Sequence, residues 1–344
     1  MSPMTTTILI SSLATGTIIT TSSHHWLMAW IGLEMNTLAI IPMISKQHHP
    51  RATEAATKYF LTQAAASALI LFSSTINAWQ SGTWDILNST NHIANILLTM
   101  AIAMKLGLAP VHFWLPEVLQ GTTMKTALII VTWQKLAPMA LMYQTSNNLS
   151  TTMMLTMGMI SAMVGGWAGL NQTQTRKIMA FSSIAHLGWM ASIITIMPNI
   201  LLLNLLIYLT MTTSMFITLI LLNSKNITDL MISWTMSPTI TTLTMLTLLS
   251  LGGLPPLTGF MPKWLILEEL TMQTLNTTAI ILVLSSLLSL FFYLRLTYMS
   301  TITLSPNTTT TTHKWRFKHT TNTLLLTLTL PMSILMLPMT PLLY

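Results

Sequence analysis

From Pro3 to Leu343 the chain runs through one apolar stretch of about twenty residues after another, divided by short polar or proline-rich breaks. A stretch of that length, wound as a helix, crosses a hydrocarbon core of roughly 30 Å. In lipid every backbone N–H and C=O must be satisfied within the protein, so a chain built this way folds as a bundle of membrane-crossing helices. Only 6% of the residues are charged and 52% are hydrophobic, against roughly 25% charged in a soluble domain. No part of the sequence is left over for a soluble domain, and the first stretch, which lacks the Lys/Arg-rich start of a cleaved signal, is expected to be a mature helix.

Apolar runs read against their breaks predict helices near 3–22, 25–45, 55–79, 92–110, 122–143, 149–170, 175–196, 200–222, 238–256, 274–300 and 323–343. The expected fold is therefore all-α and polytopic, with about eleven transmembrane helices. Several of these runs are rich in Thr and Met instead of Leu. A helical threonine satisfies its hydroxyl on the preceding turn, so hydropathy falls without exposing a polar group.

Two of the breaks resemble each other. In "AIAMKLGLAPVHFWLPE", residues 101–117, and "LSLGGLPPLTGFMPKWLILEE", residues 249–269, Gly107, Pro110 and Pro116 share their spacing with Gly253, Pro256 and Pro262, offset throughout by 146. Each break follows the fourth helix of a five-helix set. Five is odd, so the second set enters from the opposite face, which is the logic of an inverted repeat whose interrupted helices occupy matching positions. The expected division is 1–147 for the first five-helix repeat, 148–304 for the second, and 305–344 for a loop and C-terminal helix. Chance likeness between two proline-rich turns is the plainer reading of three matched residues. Broken helices free carbonyls and amides, so both breaks are expected to line a hydrated interior.

Four charges fall inside apolar runs or beside these breaks: Glu34, Lys105, Lys135 and Lys263. Each ionised group at mid-depth costs roughly 2.5–3.5 kcal/mol on insertion scales. A lysine near a helix end can instead snorkel, and a glutamate can serve only to lock two helices. Desolvation favours the neutral form of an amine while a nearby carboxylate favours the charged form, so forming or breaking a Glu34–Lys105 pair would switch a proton carrier. His112, just past the first break, and His186, in "SSIAHLGWMAS", are candidates to bridge the lysines, since imidazole titrates near pH 6.5; a hydrogen-bonded packing role is the alternative for both. Glu117 and Lys125 are read as interfacial, and Glu268 and Glu269 as lying near one membrane surface.

The negative findings narrow the classes. With no cysteine in 344 residues, disulfides, thiolate-held iron–sulfur clusters and c-type haem are excluded from this chain. Net charge is +7, yet the basic residues form no long run and no aromatic-interleaved stripe, so no nucleic-acid partner is expected. There is no P-loop or dinucleotide fingerprint. His24–His25 and His48–His49 are neighbours at helix ends, where adjacent side chains diverge, and no metal site is expected.

At "GLEMN" around Glu34, the lysine before "LAPVHFWLPE", "WQKLAP" around Lys135 and "GGLPPLTGFMPKW", the chain resembles the subunit 2 family of mitochondrial NADH:ubiquinone oxidoreductase, respiratory complex I. The likeness covers essentially the whole chain. It implies an antiporter-like, proton-pumping subunit of the mitochondrial inner membrane, working beside other complex I membrane subunits and lipid such as cardiolipin. It implies no cofactor in this chain, with NADH, flavin, iron–sulfur clusters and ubiquinone held by partner subunits. Carried over by position, Glu34 and Lys105 match an ion pair, Lys135 a connecting lysine, Lys263 the lysine of the second broken helix, and His112 and His186 positions on a polar axis, together a proton-transfer path. Antiporter-type relatives usually have fourteen helices, so eleven look like a form without three N-terminal ones. The rivals are a free-standing cation/proton antiporter, against which stands the lack of clustered carboxylates at mid-depth, and a structural scaffold whose buried charges only set helix register.

Charge also orients the chain. If the N-terminus lies on side one, Lys46, Arg51, Arg176, Lys177, Lys225, Lys314, Arg316 and Lys318 all fall in side-one connections, while the side-two connections, with Lys263 of the broken helix set aside as intramembrane, offer Asp85 and no cation. The positive-inside rule then places the N-terminus and the 306–322 loop in the matrix and Tyr344 on the intermembrane side. A tag at Tyr344 is expected to be digested by protease added to mitoplasts stripped of the outer membrane; protection of the tag contradicts this orientation.

Overall fold

A computed structural model describes residues 2–45, 49–89, 91–302 and 323–339. Lys46, His48, the 306–322 loop with Lys314, Arg316 and Lys318, and Tyr344 lie outside the described residues. Among those described, the chain is helical throughout: α1 Pro3–Ser22, α2 Trp26–Ile44, α3 Pro50–Ser81, α4 His92–Leu106, α5 Trp114–Gly121, α6 Met124–Val131, α7 Trp133–Gln144, α8 Thr151–Gly169, α9 Thr175–Ile193, α10 Pro198–Leu221, α11 Ile227–Met236, α12 Pro238–Gly252, α13 Phe260–Met272, α14 Asn276–Ile302 and α15 Leu324–Leu335. The protein is an all-α polytopic membrane protein. Helices α1, α2, α3, α10 and α14 are each long and apolar enough to cross a membrane.

Every apolar run of the sequence becomes a helix, with three instructive departures. The run over 122–143 is divided into α6 and α7 at Thr132, whose backbone, at φ −106° and ψ −69°, is distorted within the right-handed helical region while its hydroxyl bonds back to Leu128 O at 2.7 Å. The fourth and ninth runs end at Leu106 and Gly252, short of the prolines at which they were expected to halt. The polar-looking breaks are themselves partly helical, adding α5, α11 and α13. Helices α5 and α13 read as breaks in the sequence because Pro116 and Pro262 sit in their first turns, where a missing N–H costs no helical bond, and α11 because it is short and lies between polar residues and Pro238.

The Thr-rich helices use their hydroxyls as expected. Along α12, Thr241, Thr244, Thr247 and Ser250 each donate to the carbonyl three residues back, at 2.8, 2.6, 2.9 and 2.7 Å. All four side chains are buried.

The chain divides into two compact units, one of residues 1–161 with 187–198, the other of 162–186 with 199–344. The division falls within α8 and again within α9. In the first unit the fully buried large side chains include Ile40, Tyr59, Ile70, Ile102 and Leu106; in the second they include Tyr208, Phe216, Phe292 and Tyr293. Large apolar groups also face outward, among them Leu61, Phe72 and Trp79 in the first unit and Leu284, Leu287 and Phe291 in the second. So much outward apolar surface suits lipid or protein neighbours, not water.

Short antiparallel bridges tie connections at one face of each unit. His25 pairs with Asp85, and Gln174 with Asn226. The His25 ring also caps α2, its Nδ1 accepting the Leu27 N–H at 3.2 Å, and stacks on Trp84. That histidine is accounted for by structure.

Helices α1 and α2 cross at glycines. A Cβ on Gly16 would stand 2.9 Å from Gly32 O, and one on Gly32 would stand 2.8 Å from Gly16 O. Close backbone approach of this kind is how helices associate where lipid supplies no hydrophobic driving force. Gly32→Ala is expected to destabilise the first unit by about 1–3 kcal/mol through overpacking against backbone. A lowered midpoint of heat-induced unfolding of the solubilised protein would show it.

Candidate functional site

The two helix breaks solve the same problem with different side chains. A helix end leaves its last carbonyls without partners, a serious cost at membrane depth. At the first break Gly107 adopts φ +80°, and Gly107 N and Leu108 N both donate to Ala103 O at 2.9 Å. The Trp114 indole N–H then covers Met104 O at 3.2 Å. At the second break Gly253 adopts φ +78°, Gly253 N donates to Ser250 O at 2.9 Å, and the ammonium of Lys263 covers Gly252 O at 2.8 Å. Both turns need the left-handed backbone that glycine adopts freely, followed by a hydrogen bond back across the helix end.

By the 146-residue offset, Lys263 stands where the first break carries Glu117, and Lys105 where the second carries Leu251. The two lysines therefore attach on opposite sides of their breaks. Lys105 ends α4 with its side chain buried, at 5% exposure, and its Nζ makes no hydrogen bond to the protein.

Lys105 and Lys135 come together. Both line one cavity in the first unit, shared with Asn36, Tyr59, Gln63, Trp114 and Gln134, with about 10 Å³ open to the centre of a water molecule. That is the room a single water needs. Lys135 is buried at 4% exposure and sits in the first turn of α7, just beyond the Thr132 interruption. Gln134 fixes that turn: its Nε2 donates to Asn36 O at 3.2 Å and its Oε1 accepts from the Tyr59 hydroxyl at 3.4 Å.

Glu34 is a neighbour of Lys105, not a contact partner. Its carboxylate acts on Lys105 as a nearby charge, but one oxygen accepts from the Thr37 hydroxyl at 3.2 Å, which holds it along its own helix, and the other is buried without a hydrogen bond. Ion pairs form at another lysine: Lys58 joins Glu54 at 2.6 Å and Glu117 at 2.7 Å. Glu117, read as interfacial, is thus half-exposed and fastened to α3.

His112 is buried at the start of α5, beside Phe113, with Nδ1 unpaired; its carbonyl accepts the Leu115 N–H. His186 is buried in the second unit with its ring 5.6 Å from that of Tyr208. Among the described residues no group of three or more His, Cys, Asp or Glu is placed to hold a metal.

Several contributors escaped the sequence reading. Tyr59, Gln63 and Gln134 are neutral and lie in or near apolar runs, though the four-residue spacing of Tyr59, Gln63 and Ser67 marks one polar helix face. Lys58 and Arg295 fell inside predicted spans. Arg295 donates to Leu170 O and, at 2.6 Å, to Gln172 O, closing the end of α8.

Residues 23–289 match the family model described as NADH:quinone oxidoreductase/Mrp antiporter, transmembrane. The chain belongs to this family. Residues 290–344 match a second model, the C-terminus of NADH dehydrogenase subunit 2. The chain is 60% identical to the NADH-ubiquinone oxidoreductase chain 2 of Xenopus laevis over 90% of each chain, and 55% identical to that of Latimeria chalumnae over 99% of this chain and 98% of the other. Among solved structures it is similar to a chain of respiratory complex I from Thermus thermophilus, with a TM-score of 0.81 and 27% identity over 96% of this chain and 78% of that one. A chain of the Mrp complex from Dietzia shares the fold, with a TM-score of 0.77 and 16% identity over 87% of this chain and 61% of that one.

Family membership sharpens the meaning of the second break. A Cβ on Gly253 would stand 2.7 Å from Lys263 Nζ, and a left-handed non-glycine residue costs about 1–2 kcal/mol. Gly253→Ala is expected to push Lys263 off the Gly252 carbonyl and lower the heat stability of the assembly. Gly252→Ala, whose added Cβ would meet nothing nearer than 3.7 Å, is the matched control and is expected to be neutral or mildly stabilising.

Proposed function

We propose that this chain is a proton-translocating, antiporter-like membrane subunit of an NADH:ubiquinone oxidoreductase, and that Lys105, Lys135 and Lys263 carry its protons. The observation that supports the path most directly is that Lys105 and Lys135, two buried amines, line one water-sized polar cavity beside two helix interruptions. A buried amine holds or releases its proton according to small changes in nearby charge and solvation. Glu34 supplies the nearby charge for Lys105. Lys263 does the corresponding work in the second unit, where its ammonium rests on a helix-end carbonyl, and His112 and His186 exchange protons along the route.

This reading gives the chain no redox centre. NADH, flavin, iron–sulfur clusters and ubiquinone belong to partner subunits, whose quinone reduction drives the charge changes. The family and the full-length identity to chain 2 proteins support complex I membrane subunits as its neighbours. On this reading the chain sits in the mitochondrial inner membrane, with a matrix N-terminus from the charge asymmetry and cardiolipin among the lipids on its outward apolar faces.

Lys105→Met keeps the bulk and removes the titration. It is expected to preserve assembly and lower the proton-to-electron ratio of the complex reconstituted in vesicles. Lys105→Arg should fail likewise, because a guanidinium does not release its proton. Glu34→Gln should do milder harm, since it removes the tuning charge and leaves the carrier. An assembled Lys105→Met complex with unchanged ratio and rate would make this lysine a structural group and favour the scaffold reading.

A further inference from the structure

The cavity between Lys105 and Lys135 holds polar groups that the lysine path does not use. Tyr59 and Gln63 lie one turn apart on α3, at 2% and 4% exposure, and both face it. The Gln134 amide is engaged at both ends, donating to Asn36 O and accepting from Tyr59. Gln63 differs. Its Nε2 is buried against the cavity with no hydrogen-bond partner in the protein, as is Lys105 Nζ.

Two buried N–H donors therefore line one small polar space. Leaving a buried donor unmatched is costly, so native structures pair such groups with protein or with ordered water. A water in such a place needs two to four polar partners. Here Gln63 Nε2 and Lys105 Nζ can donate to its oxygen, while the Tyr59 and Gln134 oxygens and a neutral Lys135 amine can accept its hydrogens.

We infer that Gln63, with Tyr59 and Gln134, holds a water molecule that relays the proton between Lys105 and Lys135. The inference rests on the proton path proposed above and adds the groups that position its carrier. In the relay the Lys105 ammonium gives a proton to the water oxygen while the water gives one of its own to the neutral Lys135 amine. Lys105 ends neutral, Lys135 ends charged, and the water is unchanged. Gln63 does not titrate; it is a positioning residue that keeps the water oxygen within reach of Lys105.

The test uses the intact complex carrying Gln63→Leu, which keeps the length and removes the donor, with Tyr59→Phe as a smaller change and Lys105→Met as the reference. A high-resolution density map of the unaltered complex should show one water within hydrogen-bond distance of both Gln63 Nε2 and Lys105 Nζ. In Gln63→Leu that water should be gone, the proton-to-electron ratio should fall toward that of Lys105→Met, and coupled turnover should slow by up to about tenfold. Tyr59→Phe should show a smaller loss of the same kind. If Lys105→Met lowers the ratio while Gln63→Leu leaves it unchanged, the lysine path stands and this inference fails. If Lys105→Met leaves the ratio unchanged, the path fails. If Gln63→Leu does not assemble, the map of the unaltered complex and the Tyr59→Phe ratio decide: no water at Gln63, or an unaltered ratio in Tyr59→Phe, overturns the inference.

Discussion

In a bilayer a free backbone carbonyl has no water to turn to, and this constraint governs where the helices of this protein stop and what side chains stand there. A helix that ends at mid-depth leaves carbonyls pointing into the protein, and each needs a donor. At both breaks a left-handed glycine folds the next N–H groups back onto the helix end. A second donor then arrives from beyond the turn: the Trp114 indole at the first break and the Lys263 ammonium at the second. The chemistry of the breaks follows from the demand for donors.

That difference in donors separates the two lysines. At the first break Trp114 donates to Met104 O, and the Lys105 amine, which makes no hydrogen bond to the protein, faces the cavity. Lys263 is committed to Gly252 O, so any change in its protonation also changes how well the helix end is satisfied. The buried lysine beside the break is therefore itself a helix cap in the second unit, while in the first a tryptophan donates to the helix end and the lysine does not. The Lys58 pairs with Glu54 and Glu117 hold α5 to α3 at the surface, so the half-helix beyond the first break is anchored while the cavity beside it stays polar.

The pattern of runs and breaks was legible because the hydrocarbon core imposes one length and one polarity on every crossing. It located the helices, the paired breaks and the charged residues that lipid would not tolerate without reason. It misjudged the ends of α4 and α12, since proline is the louder signal in the sequence but the glycine three residues earlier in each break makes the turn. It also missed the interruption at Thr132, because a threonine that turns its hydroxyl onto Leu128 O looks like any other threonine in a helix. Tyr59, Gln63 and Gln134 were passed over for a related reason: a neutral polar residue in an apolar run carries no cost large enough to stand out.

By itself the sequence determined that this is a bundle of membrane helices without cysteine to hold an iron–sulfur cluster, interrupted twice at glycine and proline and carrying cations where lipid penalises them. These conclusions depend on transfer energies and backbone rules that act residue by residue. Which groups meet was decided only by the tertiary structure. Glu34 turns out to influence Lys105 without touching it, Lys135 shares a cavity with Lys105 through a bend that Gln134 holds, and Glu117 finds a lysine on another helix. Each of these depends on how neighbouring helices are rotated and how deeply they sit, quantities set by packing across the bundle and not by any local stretch of chain.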